Sequence, residues 1–264
     1  LYEGRVSSVI TDGGVMRNVG EIENHGLEFT LDADIIKGRD FTWDMTINGY
    51  RNHNIIKKLY KGMHTGFFDY IWVEGASKDA LWLIRWAGVD PMTGAPMWYD
   101  KNGDLTYAFN YDDRVLLPQY SKEAVVQGGF TNVFRYGNWS LNVMLDYGIG
   151  GWTYDSTLND DGNDIITENP PVDELSHWTT PGEPAENIRF RYDNEGLTYY
   201  NTTRCIINKT YVQLRSLALG YSLPKTITKP LKLSSAVVSI VGDNLYLWTP
   251  GQYQERNSYK NIKY

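Results

Sequence analysis

The stretch that decides the fold is Leu27-Glu28-Phe29-Thr30-Leu31-Asp32-Ala33-Asp34-Ile35, followed after Lys37-Gly38-Arg39-Asp40 by Phe41-Thr42-Trp43-Asp44-Met45-Thr46-Ile47-Asn48. Through both halves the odd positions are apolar and the even ones polar. A period of two is what a strand shows when its faces meet different surroundings, because successive side chains point to opposite sides. The four residues between the halves supply a short turn, so the pair reads as a hairpin with one greasy face.

The same grammar returns twice. Gly129 to Tyr136 reads as a strand and Gly137-Asn138 as a turn; Trp139, Leu141, Val143, Leu145 and Tyr147 then alternate with Ser140, Asn142 and Asp146, with Met144 as the lapse. A third pair runs from Tyr211 to Leu223 and from about Ser235 to Leu247, joined by Pro224 to Ser234. In its first strand the apolar phase shifts between Leu214 and Leu217, which predicts a bulge, since one extra residue moves every later side chain to the other face.

Three short links, at about 37–40, 137–138 and 224–234, alternate with two long ones, at about 53–125 and 149–207. Membrane barrels have this one-sidedness, with short turns at one rim and long loops at the other. Strands of about 9 to 13 residues also match the roughly 9–11 that cross a bilayer at a tilt. Phe41, Trp43, Trp139, Tyr147, Tyr211, Tyr221, Tyr246 and Trp248 lie near strand ends, as in interfacial aromatic girdles. A soluble β-protein alternates too, so the pattern alone leaves both readings open.

Composition narrows the function classes. The 264 residues carry 25 Lys+Arg against 32 Asp+Glu, a net charge of −7, which repels a partner held through its phosphates; nucleic acid is not an expected ligand. Apolar residues at 42% and charged residues at 22% fit a folding chain rather than a disordered one. The 9 Trp, 20 Tyr and 8 Phe give many rings with an apolar body, and the 25 Gly favour turns and strands over helices. Cys205, the single cysteine, closes no internal disulfide and fits no zinc spacing. No apolar run approaches 18 residues, which excludes a spanning helix and leaves a membrane barrel open. The opening residues Leu1-Tyr2-Glu3-Gly4 contain neither an initiator Met nor a signal peptide, so a mature, trimmed or partial chain is expected.

Six segments, in order, resemble the SusC/RagA family of TonB-dependent outer-membrane transporters. Asn18-Val19-Gly20-Glu21 with Asn24-His25-Gly26-Leu27-Glu28 is similar to the family's NxG…NxGxE segment. Trp86-Ala87-Gly88-Val89-Asp90-Pro91-Met92-Thr93-Gly94-Ala95-Pro96 resembles its aromatic-AGVDPxTGxP signature, the most specific of the six. Gly128-Gly129-Phe130-Thr131-Asn132 with Leu145-Asp146-Tyr147 resembles the GGFxN hairpin, and His177-Trp178-Thr179-Thr180-Pro181-Gly182 the aromatic-T-x-PG loop. Residues Tyr211 to Pro224 are similar to YxRLRxLxLGYxLP, with Gln213 where Arg is common. Gly242-Asp243-Asn244-Leu245-Tyr246-Leu247-Trp248-Thr249 resembles the GxNLxxWT element.

The resemblance implies an all-β fold: a transmembrane antiparallel β-barrel segment of about six strands, with long extracellular loops, cut from a plugged barrel of about 22. Residues 1–264 would form part of a TonB-dependent receptor-like barrel domain, the plug, TonB box and terminal strands having no counterpart in this sequence. The implied function is nutrient import across the outer membrane: TonB-energised uptake of glycans or peptides with a SusD-like surface lipoprotein, in contact with outer-membrane lipid, and with no enzymatic step. The alternative is a soluble extracellular β-rich carbohydrate-binding module, which would bury its apolar faces against a second sheet; a β-sheet glycosidase ranks below it.

No cofactor, metal site or catalytic residue is expected. Asn159-Asp160-Asp161-Gly162 with Glu168 imitates part of a calcium loop, but Thr157 stands at the first ligand position and Asp164 where an apolar residue is usual. Asp100-Lys101-Asn102-Gly103-Asp104 reads as a hairpin turn, and His25, His53, His64 and His177 share no ligand spacing. Candidate ligand contacts are loop aromatics, whose rings stack on sugars and peptide side chains. Trp72, Trp82, Trp86 and Trp98 belong to this loop set, and Trp152, Tyr154 and Trp178 are selected from it. Each could instead simply pack the loops together.

Overall fold

The structure, a computed structural model, describes residues 2–4, 15–17, 20–62, 64–159, 177–189 and 199–250. These divide into two compact units. One draws on Leu1–Glu23, Asn54–Lys122 and Trp152–Ile207, the other on Asn24–His53, Glu123–Gly151 and Asn208–Tyr264. The Asn18-Val19 pair and the calcium-like residues 160–168 lie outside the described residues.

The second unit is built on one six-stranded sheet: β1 (Glu21–Lys37), β2 (Phe41–Lys58), β3 (Val126–Tyr136), β4 (Trp139–Ile149), β5 (Tyr211–Ser222) and β6 (Val237–Trp248). The strands neighbour one another in chain order, and the registers read along β2 to β6 are antiparallel throughout, so the sheet is an up-and-down meander. Short turns join β1 to β2 and β3 to β4, and the β5–β6 link carries a single helical turn, Lys225–Thr228. All six strands expected from the alternation are present. β1 and β2 run longer than the sequence pattern marks, because backbone pairing continues after the side-chain alternation stops.

Register explains the alternation. Trp43, Phe134, Leu141, Leu219 and Ile240 stand opposite one another across five strands; so do Ile47, Phe130, Leu145, Leu214 and Tyr246. Phe41, Tyr136, Trp139, Tyr221 and Val238 form the row nearest the short turns, with the Trp139 and Tyr221 rings 4.7 Å apart. Five such rows span about 25 Å along the strands at roughly 3.3 Å per residue, close to the apolar band of a membrane barrel. The other face is polar: Asp44 pairs with Arg135, and the Thr46 hydroxyl donates to Asp32 at 2.6 Å.

The phase slip in β5 is a bulge at Arg215. Met144 faces Ser216 and Leu145 faces Leu214, so Arg215 has no place in the register with β4, although its guanidinium lies 3.7 Å from Asp146 there, and the later side chains return to the apolar face. Its guanidinium donates to Asn244 Oδ1 at 2.8 Å, where β6 is irregular as well and Asn244 has φ +54°. The one polar residue in the middle rows is Asn132, which is buried and accepts the Trp43 indole N–H at 2.9 Å. A polar atom on an otherwise apolar face is thus satisfied within the face itself.

Gly49 and Gly128 lie opposite each other, and a Cβ on Gly128 would meet the Asn48 carbonyl at 2.1 Å. This close approach leaves a slot that Phe29 and Tyr147 cover from either side of Gly49, the Tyr147 hydroxyl donating to the Asn48 carbonyl at 2.9 Å. The sheet's apolar face stays open: Leu27 is 72% and Ile240 75% exposed, and the central rows are half-exposed. A carbohydrate-binding sandwich would have buried them.

Candidate functional site

The long connections form the first unit, and they are folded rather than loose. Thr65–Phe67, Tyr70–Trp72, Ala80–Leu83 and Val115–Ser121 pair in a four-stranded sheet; Arg85–Val89, Pro96–Tyr99 and Leu105–Thr106 form a three-stranded one. Two cores hold the unit. Leu81, Leu83 and Leu117 pack with Val115, Tyr120, Trp152, Tyr154 and Ile206; Ile188, Tyr199 and Cys205 pack with Trp86, Val89, Tyr154 and Leu158.

The Asp90 motif is a turn built by its own side chain. Asp90 accepts the Met92 amide at 2.9 Å and the Thr93 hydroxyl at 2.6 Å, while its backbone exchanges bonds with Gly94 and Ala95 at 2.8 Å. Those donors, Thr93 foremost, hold the Asp90 carboxyl below the usual carboxylate range. Gly94 has φ +68°, and a Cβ there would meet the Trp178 ring at 2.6 Å, so only glycine fits.

The turn docks the 177–189 segment. The Trp178 indole N–H donates to the Pro91 carbonyl at 2.8 Å, as does the Gly182 amide, and Arg189 donates to the Gly94 and Thr93 carbonyls at 3.1 and 3.3 Å. The two most loop-like motifs of the sequence are therefore one structural piece, with Trp178 half-buried over Gly94 and Arg189 exposed.

Trp152 and Tyr154 serve the interior of the unit. Trp152 lies edge-on to Tyr120 at 5.1 Å. Tyr154 is half-buried between both cores, its hydroxyl accepts the Asn201 amide at 2.7 Å, and burial pushes its ionisation up. From Tyr154 a run of edge-to-face rings passes through Phe68, Tyr200, Tyr111, Phe109 and Trp98 to Trp86, with centroids 5.0 to 6.0 Å apart. The loop set is thus mostly packing, with Trp178 set apart from that run. Sequence reasoning passed over Arg114, whose guanidinium lies 3.7 Å from the Trp82 ring and whose only sequence signal is the neighbouring Tyr111.

Other candidates carry structural roles. Asp100 Oδ1 accepts the amides of Asn102, Gly103 and Asp104 at 2.8 to 2.9 Å, which closes the expected hairpin turn and lowers its ionisation, the Asp104 amide contributing most. The Cys205 thiol is pushed up to about 11 by burial and is inert at neutral pH. His25 and His53 meet edge-on at 5.3 Å, and His53 Nδ1 lies 2.9 Å from Glu123. Among the described residues no three His, Cys, Asp or Glu come together as a metal site, and no helix is long and apolar enough to cross a membrane.

Comparison with known proteins points one way. The chain is 26% identical over 275 residues to TonB-dependent receptor P3 of Formosa agariphila, covering 93% of this chain and 26% of that protein. It is 25% identical over 221 residues to the TonB-dependent receptor SusC of Bacteroides thetaiotaomicron, covering 78% of this chain and 21% of SusC. Among solved structures, the RagAB peptide transporter superposes with a TM-score of 0.77 at 21% identity, over 93% of this chain and 28% of that one. The open-open state of the RagAB peptide importer gives 0.78 at 20% identity, over 95% and 28%. No family model matches. The chain spans about a quarter of the length of the curated relatives it matches.

Proposed function

We propose, from the premise that this chain is a relative of the SusC/RagA-type TonB-dependent receptors, that it forms part of the barrel wall and loops of an outer-membrane nutrient importer. The observation that carries the reading is the meander itself, with five apolar rows on one face and paired polar groups on the other. Such a wall suits lipid outside and water or a plug inside. Residues 1–264 would then belong to one receptor-like barrel domain, energised by TonB through parts of the protein other than these residues.

The cargo in this reading is a glycan or a peptide, captured with a SusD-like surface lipoprotein; the chemistry is binding and translocation, with no bond broken. SusC and the RagAB peptide transporter support the class. Trp178 is the proposed direct ligand contact, because its ring borders the Asp90 turn rather than the aromatic run. Trp152 and Tyr154 are the other two proposed ligand-site residues, acting by holding the loop surface in shape.

The test is uptake in the source cells. Deleting the gene should abolish entry of fluorescent oligopeptides or of oligosaccharides, in a manner that also fails when the proton gradient is collapsed, and the protein should fractionate with the outer membrane. Unchanged uptake of both cargo classes, or recovery of the protein in the soluble fraction, contradicts the proposal.

A further inference from the structure

The link between β5 and β6 has features that barrel closure does not explain. Residues 224–236 contain Lys225, Lys229 and Lys232 and no acid, in a chain whose net charge is −7. All three lysines are exposed, together with Ile227 at 46%, Leu231 at 61% and Leu233 at 47%.

The link is ordered without an apolar core of its own. Ile227 and Thr228 donate to the Pro224 carbonyl at 2.9 and 3.2 Å, Lys229 to Lys225 and Lys232 to Lys229 at 3.0 Å, and Leu233 to Thr228 at 3.0 Å. Thr228 is buried, and Lys232 is held at φ +54°, a conformation unfavourable for a residue with a Cβ. Backbone bonds and one strained residue thus hold three apolar side chains outward, against the ordinary preference for burying them. A partner that is apolar on one side and anionic on the other removes that conflict.

Position identifies the partner. The link starts three residues beyond Tyr221, which lies in the row of Phe41, Tyr136, Trp139 and Val238. Such aromatic rows sit at headgroup depth, so the next residues outward reach lipid phosphates. The other short turns offer less charge: Lys37 is paired with Asp34 at 2.5 Å, and Arg39 adjoins Asp40.

We propose that residues 224–236 dock on anionic phospholipid headgroups of the leaflet facing the short turns. Ile227, Leu231 and Leu233 enter the acyl boundary, and the three ammonium groups extend to the phosphates. The inference rests on the membrane-barrel reading.

The experiment uses the full chain in phosphatidylcholine vesicles, with or without phosphatidylglycerol, and acyl-brominated lipid as quencher. A bimane reporter at Leu231→Cys reads the link, and one at Leu217→Cys reads the strand; Cys205 is buried and stays unlabelled. Quenching at position 231 should rise about threefold when phosphatidylglycerol is present, and K225Q/K229Q/K232Q should remove that rise. Position 217 should be quenched in both vesicles and in the triple variant, which also shows that the variant inserts. If position 217 is quenched while position 231 ignores phosphatidylglycerol, or keeps its rise in the triple variant, the lipid-docking inference is overturned and the barrel reading survives. Loss of quenching at position 217 overturns both.

Discussion

In the six-stranded sheet Phe41, Tyr136, Trp139 and Tyr221 lie side by side on neighbouring strands, Tyr136 and Trp139 exposed and Phe41 and Tyr221 half-buried. In the loop unit Trp86, Trp98, Phe109, Tyr111, Tyr200, Phe68 and Tyr154 close edge to face on one another. The same residue types therefore perform opposite tasks, and what differs is the backbone that carries them. A strand of fixed register places each ring at a set depth on one face. Short strands and turns let rings seek each other, gaining about 0.5–1.5 kcal/mol per pair beyond area burial.

The largest effect that would break this comparison comes from a charge on the apolar face. Leu217→Arg, in the middle row, should destabilise the sheet in lipid by about 2–4 kcal/mol, whereas Ala218→Arg, one residue on and facing the polar side, should cost under about 1 kcal/mol. Denaturant unfolding in bilayers measures both, and equal costs would mean that the two faces meet the same medium.

In the loop unit the corresponding weak point is Gly94. Gly94→Ala combines an unfavourable φ with a clash against Trp178 and should cost about 1–3 kcal/mol locally. Faster hydrogen exchange in 177–189, with the sheet unaffected, is the expected result; exchange spread evenly over both units would erase the distinction between them.

The smallest effect is a pH dependence of the same docking. Asp90 is held below its ordinary ionisation by hydrogen bonds that exist only in the folded turn, so its contribution is present above about pH 4, the unfolded value, and is lost as pH falls through the lower folded value. Exchange in 177–189 should rise in that acid range, and Asp90→Asn should flatten the profile.

The sheet was legible in the sequence because strands with one apolar and one polar face show a period of two, and a slip in that period has one geometric meaning, which the bulge at Arg215 bears out. The strand ends were less legible. β2 continues to Lys58 although its alternation stops, since Asn54 there is buried and binds Asp79, Ser77 and Lys78 instead of meeting a uniform medium. The loops were the least legible. Nothing in the spacing of Trp98, Phe109 and Tyr200 says which ring meets which, nor that Trp152 and Tyr154, selected as candidate ligand contacts, pack against the loop cores. The Asp90 motif was quotable, but its docking of Trp178 and Arg189 rests on contacts about 90 residues apart in the chain.

The central claim is that one face of the meander is wetted by lipid. It is tested most directly by spin labels placed singly from Val212 to Tyr221, with accessibility to oxygen and to a water-soluble nickel chelate read in bilayers. The account predicts oxygen maxima at 212, 214, 217, 219 and 221 and chelate maxima between them, with the period broken once, at Arg215. Low accessibility to both reagents at the apolar positions, as in the interior of two packed sheets, would contradict it.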